Sequence, residues 1–276
     1  MVRRPLPRNP RALVTTLLLI AVAALLFLAA VYRWQDRLLY FPQRAPLEQL
    51  TGNGLQPWPS AQDFRGLLAQ PAGAARGTVV VFHGNAGHAG HRAFYAHALA
   101  PLGWRVVLAE YPGYGPRGGA PGEAALMADA QQTLALVRHA WPGPVLVLGE
   151  SLGAAVAAGA AALSADLVSG LLLVTPWDRL SHVAAIHYPW LPVRLLLRDD
   201  YNSVAHLAHF ARPVAVVVAQ QDSIVPARLG QALHAALVGP KQLLAIEDSG
   251  HNDWPDRVDA RWWRTAVGAA LGEPEP

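Results

Sequence analysis

The sequence predicts an α/β fold: a mostly parallel central sheet with helices on both faces and a short helical cap, preceded by one transmembrane helix. Three observations predict it. From about residue 64 onward, short apolar runs alternate with helix-length segments, the rhythm of parallel strands joined by crossover helices. Residues 176–210 break that rhythm. Ala12 through Tyr32 is a run of 21 residues without a charge.

The terminal run comes first. At about 1.5 Å per residue it covers roughly 31 Å, the thickness of a bilayer core. Arg3, Arg4, Arg8 and Arg11 precede it, so residues 1–11 are expected on the cytoplasmic side and the bulk of the chain across the membrane, periplasmic or extracellular. Arg33, Arg37 and Arg44 on the far side weaken the asymmetry without reversing it. A cleaved signal peptide has a shorter apolar region, roughly 7–15 residues, and small residues at its cleavage site. Here Leu28-Ala29-Ala30 puts Leu where a small residue is wanted. An uncleaved signal anchor over 12–32 is therefore expected. Residues 33–63, rich in Pro, Gln and Gly, form a connecting segment. Trp34, Tyr40 and Phe41 in it suit the membrane interface or a first packing contact.

The remainder, 64–276, is long enough for one sizeable domain. Of the 276 residues, 53% are apolar and 15% charged, which excludes a disordered chain. The net charge of +3 comes with no basic stripe interleaved with aromatics, so no nucleic-acid partner is expected. The absence of cysteine excludes disulfides, thiolate metal sites and a cysteine nucleophile.

Strands are predicted at Thr78–Phe82, Val106–Ala109, Val145–Leu148, Leu171–Val174, Val214–Ala219 and Leu243–Ile246. Helices are expected at about 91–101, 123–140, 152–163, 227–238 and 256–271. Pro101-Leu102-Gly103, Pro142-Gly143-Pro144 and Gly239-Pro240 supply turn chemistry between helices and strands.

Gly149-Glu150-Ser151-Leu152-Gly153 follows the strand Val145–Leu148 and opens a small-residue helix. That strand–turn–helix setting is what a nucleophile elbow requires. The residues two before and two after the serine approach closely, so both must be small. The competing reading is an ordinary glycine-rich turn with a surface serine, and the context favours the elbow.

The strand ending at Phe82 runs into His83-Gly84-Asn85-Ala86-Gly87. Acyl transfer needs two N–H donors where the carbonyl oxygen becomes negative, and the amides of Leu152 and Asn85 are the candidates. A metal reading of His83, His88 and His91 is discounted: Gly84, Gly87 and Gly90 break any helix that would align them, and no nearby carboxylate is expected to complete a site. His83 is expected to brace the loop.

His251 lies in a polar loop after Leu243–Ile246, and Asp222 follows Val214–Ala219. Strand-end loops are where a base and its orienting acid belong, and the order Ser, Asp, His fits. Asp248, Asp253 and Asp200 are rivals to Asp222; the first two sit so close to His251 in sequence that ordinary loop carboxylates are expected.

Taken together, Phe82-His83-Gly84-Asn85-Ala86-Gly87, Tyr111-Pro112-Gly113-Tyr114-Gly115, Gly149–Gly153, Asp222 and His251 resemble a membrane-associated subgroup of α/β hydrolases. The group includes bacterial anchored hydrolases and the eukaryotic α/β-hydrolase domain-containing proteins, some of which remove palmitoyl groups from proteins. Leu39-Tyr40-Phe41-Pro42 and the stretch Tyr188–Leu197 are also similar. The resemblance covers about residues 38–265. It implies the α/β-hydrolase fold, a Ser151–His251–Asp222 triad, and hydrolysis of esters or thioesters. Two loop positions depart from the group: Arg117 stands where Ser often follows Tyr-Gly-x, and His88 follows Gly87 where Asn is common.

The stretch 176–210 carries Trp177, Tyr188, Trp190 and Leu195–Leu197. It is expected either to cap the site and build an apolar acyl pocket with Trp177, Tyr188 and Trp190, or simply to pack on the domain. A small lipid-like or acylated substrate is expected, with no cofactor and no metal. Two other readings share these residues: a peptidase or amidase with the same triad, and a membrane-tethered binding protein whose triad is idle.

Overall fold

The computed structural model describes residues 10–52 and 54–274; Arg3, Arg4 and Arg8, expected ahead of the anchor, lie outside the described residues. Its central sheet has eight strands: β1 (Gln56–Pro59), β2 (Phe64–Ala69), β3 (Gly77–Phe82), β4 (Trp104–Ala109), β5 (Val145–Glu150), β6 (Gly170–Val174), β7 (Val214–Ala219) and β8 (Lys241–Ile246). They are ordered β8-β7-β6-β5-β3-β4-β2-β1. Neighbours from β8 to β4 are parallel, while β4–β2 and β2–β1 are antiparallel.

Six of these are the strands expected from sequence, with ends moved by at most two residues. β1 and β2 were not expected. β1 is Gln-Pro-Trp-Pro, a composition that a strand tolerates only at a sheet edge, where missing N–H donors face away from a partner. β2 begins Phe-Arg-Gly. Its glycine is required by contact rather than by pattern: a Cβ on Gly66 would sit 2.3 Å from the Leu108 carbonyl. β1 lies inside the connecting segment 33–63, so that segment already contributes to the sheet.

Central strands are buried on both faces; Val79–Phe82 and Val145–Leu148 are all essentially inaccessible. That explains their unbroken apolar runs. Besides single helical turns at Asp36–Leu39 and Leu47–Leu50, the helices are α1 (Pro10–Trp34), α2 (Ala93–Leu99), α3 (Glu123–Ala140), α4 (Leu152–Leu163), α5 (Leu180–His187), α6 (Val193–Leu196), α7 (Ser203–His206), α8 (Ala227–Ala236) and α9 (Ala260–Leu271). Leu126, Val156 and Leu233 of α3, α4 and α8 join Val80, Val147 and Leu173 on one face of the sheet. Tyr95, Leu99 and Trp263 of α2 and α9 join Val81 and Leu148 on the other.

Two helix starts differ from expectation. α2 is shorter than 91–101 because 3₁₀ turns at 89–92 and 100–102 flank it, where Gly90 and Pro101 disfavour regular α-helix. α9 begins at 260 rather than 256. The Asp259 carboxylate accepts the Trp262 N–H at 2.7 Å, and such a cap fixes the first turn. The stretch 176–210 divides in two: α5 and α6 line the cavity described below, whereas α7 and residues 207–209 pack against α4.

Arg11–Trp34 is long and apolar enough to cross a membrane, with mean hydropathy 2.8 and none of its most apolar window buried. The exit from α1 is fastened to the domain. Gln35 donates to the Leu196 carbonyl at 2.9 Å and accepts the Arg198 N–H at 2.8 Å. Buried Tyr40 donates to Asp199 at 2.5 Å and meets the Tyr201 hydroxyl at 2.8 Å. Phe41–Pro42 pairs in parallel with Ala86–Gly87.

Candidate active site

Ser151 joins β5 to α4 with φ 54° and ψ −116°, a conformation that costs an L-residue free energy and persists only where its surroundings enforce it. Its N–H is held by the Val174 carbonyl at 2.9 Å. The flanking glycines are required by contact. A Cβ on Gly149 would lie 2.3 Å from the Gly153 carbonyl, and one on Gly153 would lie 1.9 Å from the Phe82 carbonyl.

β8 and β7 bring the other two residues to the same carboxyl edge. His251 Nε2 lies 3.0 Å from Ser151 Oγ, and its Nδ1 lies 2.6 Å from Asp222 Oδ2. Asp222 is buried. Its other oxygen accepts the N–H groups of Ile224 and Val225 at 2.8 and 2.7 Å, so the carboxylate is fixed in orientation. An ionised carboxylate only accepts; the neutral ring beside it therefore carries its proton on Nδ1 and leaves Nε2 to accept from the serine hydroxyl. The Gln221 N–H bonds to the Ser249 carbonyl at 2.9 Å and ties the two loops together. The rival acids are engaged elsewhere: Asp248 by Gln221, Asp253 by the Gly250 N–H, Asp200 by Arg179.

Asn85 is pinned from three directions. Its carbonyl accepts the Phe41 N–H at 3.0 Å and the Tyr114 hydroxyl at 2.8 Å, and its side chain donates to the Leu39 carbonyl at 2.9 Å. Leu152 opens α4, where an amide has no intrahelical acceptor. Tyr111 donates to the His83 carbonyl at 2.7 Å. The Tyr-Pro-Gly-Tyr-Gly segment thus holds the loop after β3.

The expectation that no carboxylate lies near His83 is corrected. Glu110, inaccessible at the end of β4, places Oε1 3.0 Å from His83 Nε2, and its Oε2 accepts the Ala89 N–H at 3.0 Å. Proximity in the sheet, β4 beside β3, brings together residues 27 positions apart. A lone acid ending an apolar strand was the signal available in sequence. The His88 and His91 ring centroids are 3.7 Å apart with the rings tilted by 31°; burial, then neighbouring positive groups, hold both below the ordinary imidazole value. Glu150, inside the Gly-x-Ser-x-Gly motif, is bound by Arg92 through two 3.0 Å bonds and by the Tyr95 hydroxyl at 2.8 Å.

Ser151 and His251 face a cavity of about 760 Å³ whose walls are mainly apolar, within the range of small-molecule sites. Trp177, Tyr188 and Trp190 all line it. Trp177 is buried, its Nε1 donating to the Tyr201 carbonyl at 3.3 Å, while Tyr188 and Trp190 are exposed. Two further wall residues, Phe27 and Val31, come from α1. Sequence reading missed them because the anchor reads as uniformly apolar, with nothing to single out one face.

Residues 73–198 match the family model described as serine aminopeptidase, S33. An uncharacterized protein of Mycobacterium tuberculosis strain H37Rv is 37% identical over 265 residues, covering 92% of each chain. The lysophosphatidylserine lipase ABHD12 of Danio rerio is 28% identical over 189 residues, 60% of this chain and 48% of that one. Among solved structures, an esterase of Pyrococcus furiosus superposes with a TM-score of 0.62 at 17% identity, over 85% of this chain and 97% of that one. A monoacylglycerol lipase of Paleococcus ferrophilus superposes at 0.56 and 18% identity, over 74% and 98%. The strand order, the strand–turn–helix at Ser151 and a relative alignable along nearly its whole length agree: this chain belongs to the α/β-hydrolase family.

Proposed function

We propose that the protein is a membrane-anchored serine hydrolase that cleaves carboxylic esters or thioesters. The observation that carries this reading is the unbroken line from Asp222 through His251 to Ser151 Oγ, at 2.6 and 3.0 Å, ending in a mainly apolar cavity. In the reaction, His251 takes the hydroxyl proton as Ser151 Oγ attacks the substrate carbonyl. The developing oxyanion accepts from the Asn85 and Leu152 amides. His251 returns the proton to the leaving alcohol or thiol, and water, activated by the same ring, releases the acid. Asp222 holds the tautomer and stabilises the imidazolium. None of these steps requires a metal or cofactor.

The apolar walls, together with relatives named as lipases, support a lipid-like or acylated substrate. The serine aminopeptidase family model favours the second reading, a peptidase or amidase with the same residues. The apolar helix α1, preceded in sequence by arginines, supports an anchor with a cytoplasmic N-terminus and an extracytoplasmic domain.

Labelling of the full chain with a fluorophosphonate probe tests the reading. Labelling lost in Ser151→Ala supports it; folded wild type that resists the probe favours an idle binding protein. Matched acyl esters, thioesters and peptide amides then separate esterase from amidase.

A further inference from the structure

The cavity that holds Ser151 is walled partly by the helix that would cross the membrane. Phe27 and Val31 of α1 line it together with Trp190 and Leu191 of the cap loop. The Phe27 and Trp190 ring centroids are 5.9 Å apart. Phe27 is seven residues before Trp34, about 10 Å along a helix. If Trp34 marks the membrane interface, as an aromatic at the end of an apolar helix does, then Phe27, Val31 and Trp190 lie inside the hydrocarbon.

The cap loop has the chemistry for that depth. Trp190 is 67% exposed and Leu195 84% exposed, which is costly in water for side chains this large and favourable in lipid. Unsatisfied backbone groups are what exclude most loops from a bilayer. Here four of the seven N–H groups of 188–196, those of Tyr188, Leu191, Val193 and Leu195, are bonded to the carbonyls of Ala184, Tyr188, Leu191 and Pro192 at 2.8–3.0 Å, and Pro189 and Pro192 have none to satisfy. Arg194, the one charged side chain within 188–196, sets its guanidinium 3.4 Å from His182 Nε2, back towards the domain, and the polar boundary follows at Arg198, whose guanidinium lies 5.7 Å over the Tyr32 ring and pairs with Asp36, at the level where headgroups belong.

We infer that the substrate is a lipid whose acyl chain reaches Ser151 from within the bilayer, through a portal between α1 and the cap loop 188–196. The anchor is then a wall of the binding site as well as a tether. This rests on the proposed hydrolase reading and names its substrate class.

The chain has no cysteine, so single cysteines report cleanly. The full-length protein is reconstituted in phosphatidylcholine vesicles. A bimane fluorophore on Trp190→Cys, and separately on Leu195→Cys, should be quenched by nitroxide lipids as strongly as on Leu26→Cys within α1, and far more than on Val238→Cys. Quenching at 190 and 195 no greater than at 238 overturns the portal. In the second arm, a bulky maleimide on Val31→Cys, or on Phe27→Cys should the first not fold, should lower the ratio of hydrolysis of a vesicle-borne palmitoyl ester to that of a soluble acetate ester about tenfold, because only the long chain uses the portal. The same label on Leu26→Cys, outside the cavity, should leave the ratio within about twofold. An unchanged ratio with the label at 31 or 27 also overturns the portal. Wild type inert towards both esters overturns the hydrolase reading instead, and the quenching arm still decides whether the loop enters lipid.

Discussion

Glu110 and His83 meet carboxylate to imidazole at 3.0 Å, both inaccessible to solvent, directly behind the loop that carries Asn85. The second Glu110 oxygen accepts the Ala89 N–H, and Tyr111 N–H approaches the first at 3.2 Å. One side chain therefore fixes two points of the loop that supplies a proposed oxyanion donor and the start of the Tyr111–Gly115 segment that braces it. Glu110→Ala strands a buried imidazole and two buried amides, a loss of about 3 kcal/mol, and should lower the melting temperature by roughly 6–12 °C. Glu110→Gln keeps acceptor and shape. It should retain most stability while still reducing turnover through a displaced loop, and thermal denaturation beside kcat on a short ester separates the two.

The glycines around Ser151 make a second prediction. Gly153→Ala would force a methyl to 1.9 Å from the Phe82 carbonyl, and Gly149→Ala would force one to 2.3 Å from the Gly153 carbonyl. Both neighbours are buried backbone, one at the end of β3 and the other in the first turn of α4, and do not yield cheaply. Each variant should lose about 3 kcal/mol or more and show little or no soluble folded protein. A Gly153→Ala variant that melts with wild type would mean the turn is built otherwise.

Asp222 and its rivals are separable by rate. Asp222→Asn preserves volume but offers an amide where the imidazole N–H needs an acceptor, disfavouring the working tautomer; a fall in kcat of about 10³–10⁴ is expected by comparison with other triads. Asp248→Asn, whose carboxylate accepts from Gln221 across an exposed loop, should stay within about threefold of wild type. Equal losses in the two variants would remove Asp222 from its role.

Much of this site was legible because the constraints were local. The tight strand-to-helix turn at Ser151 needs small residues at fixed offsets from the serine, and Gly149 and Gly153 announce it. Strands buried on both faces announce themselves as runs such as Val79-Val80-Val81-Phe82. What was illegible depends on chain segments far apart in sequence. Glu110 reads as a strand-end acid until β4 is laid beside β3. β1 escapes notice because Pro57 and Pro59 argue against a strand everywhere but at an edge. Phe27 is the one aromatic in the run 12–31, but an aromatic in an apolar helix marks no particular face, and only the cap loop coming to rest against it picks out the face that matters.

The junction between α3 and the cap carries a pH dependence. Glu123, at the start of α3, has its carboxyl pulled up by burial, but the His206 ring 3.7 Å away and the backbone amides of Tyr201 and Asp200 outweigh this and hold it below its ordinary value of 4.5. The Asp200 N–H is 2.7 Å from its Oε2. Because the folded state favours the ionised form, the interaction stabilises the fold fully above the unfolded value near 4.5, and the benefit is lost as pH falls through the lower folded value. Glu123→Gln should therefore melt below wild type at pH 7, and the gap between the two should close in acid below about pH 4.5. Melting curves of both proteins from pH 3 to 8 measure this directly; a gap that widens below pH 4 would show that Glu123 is not held ionised by the cap.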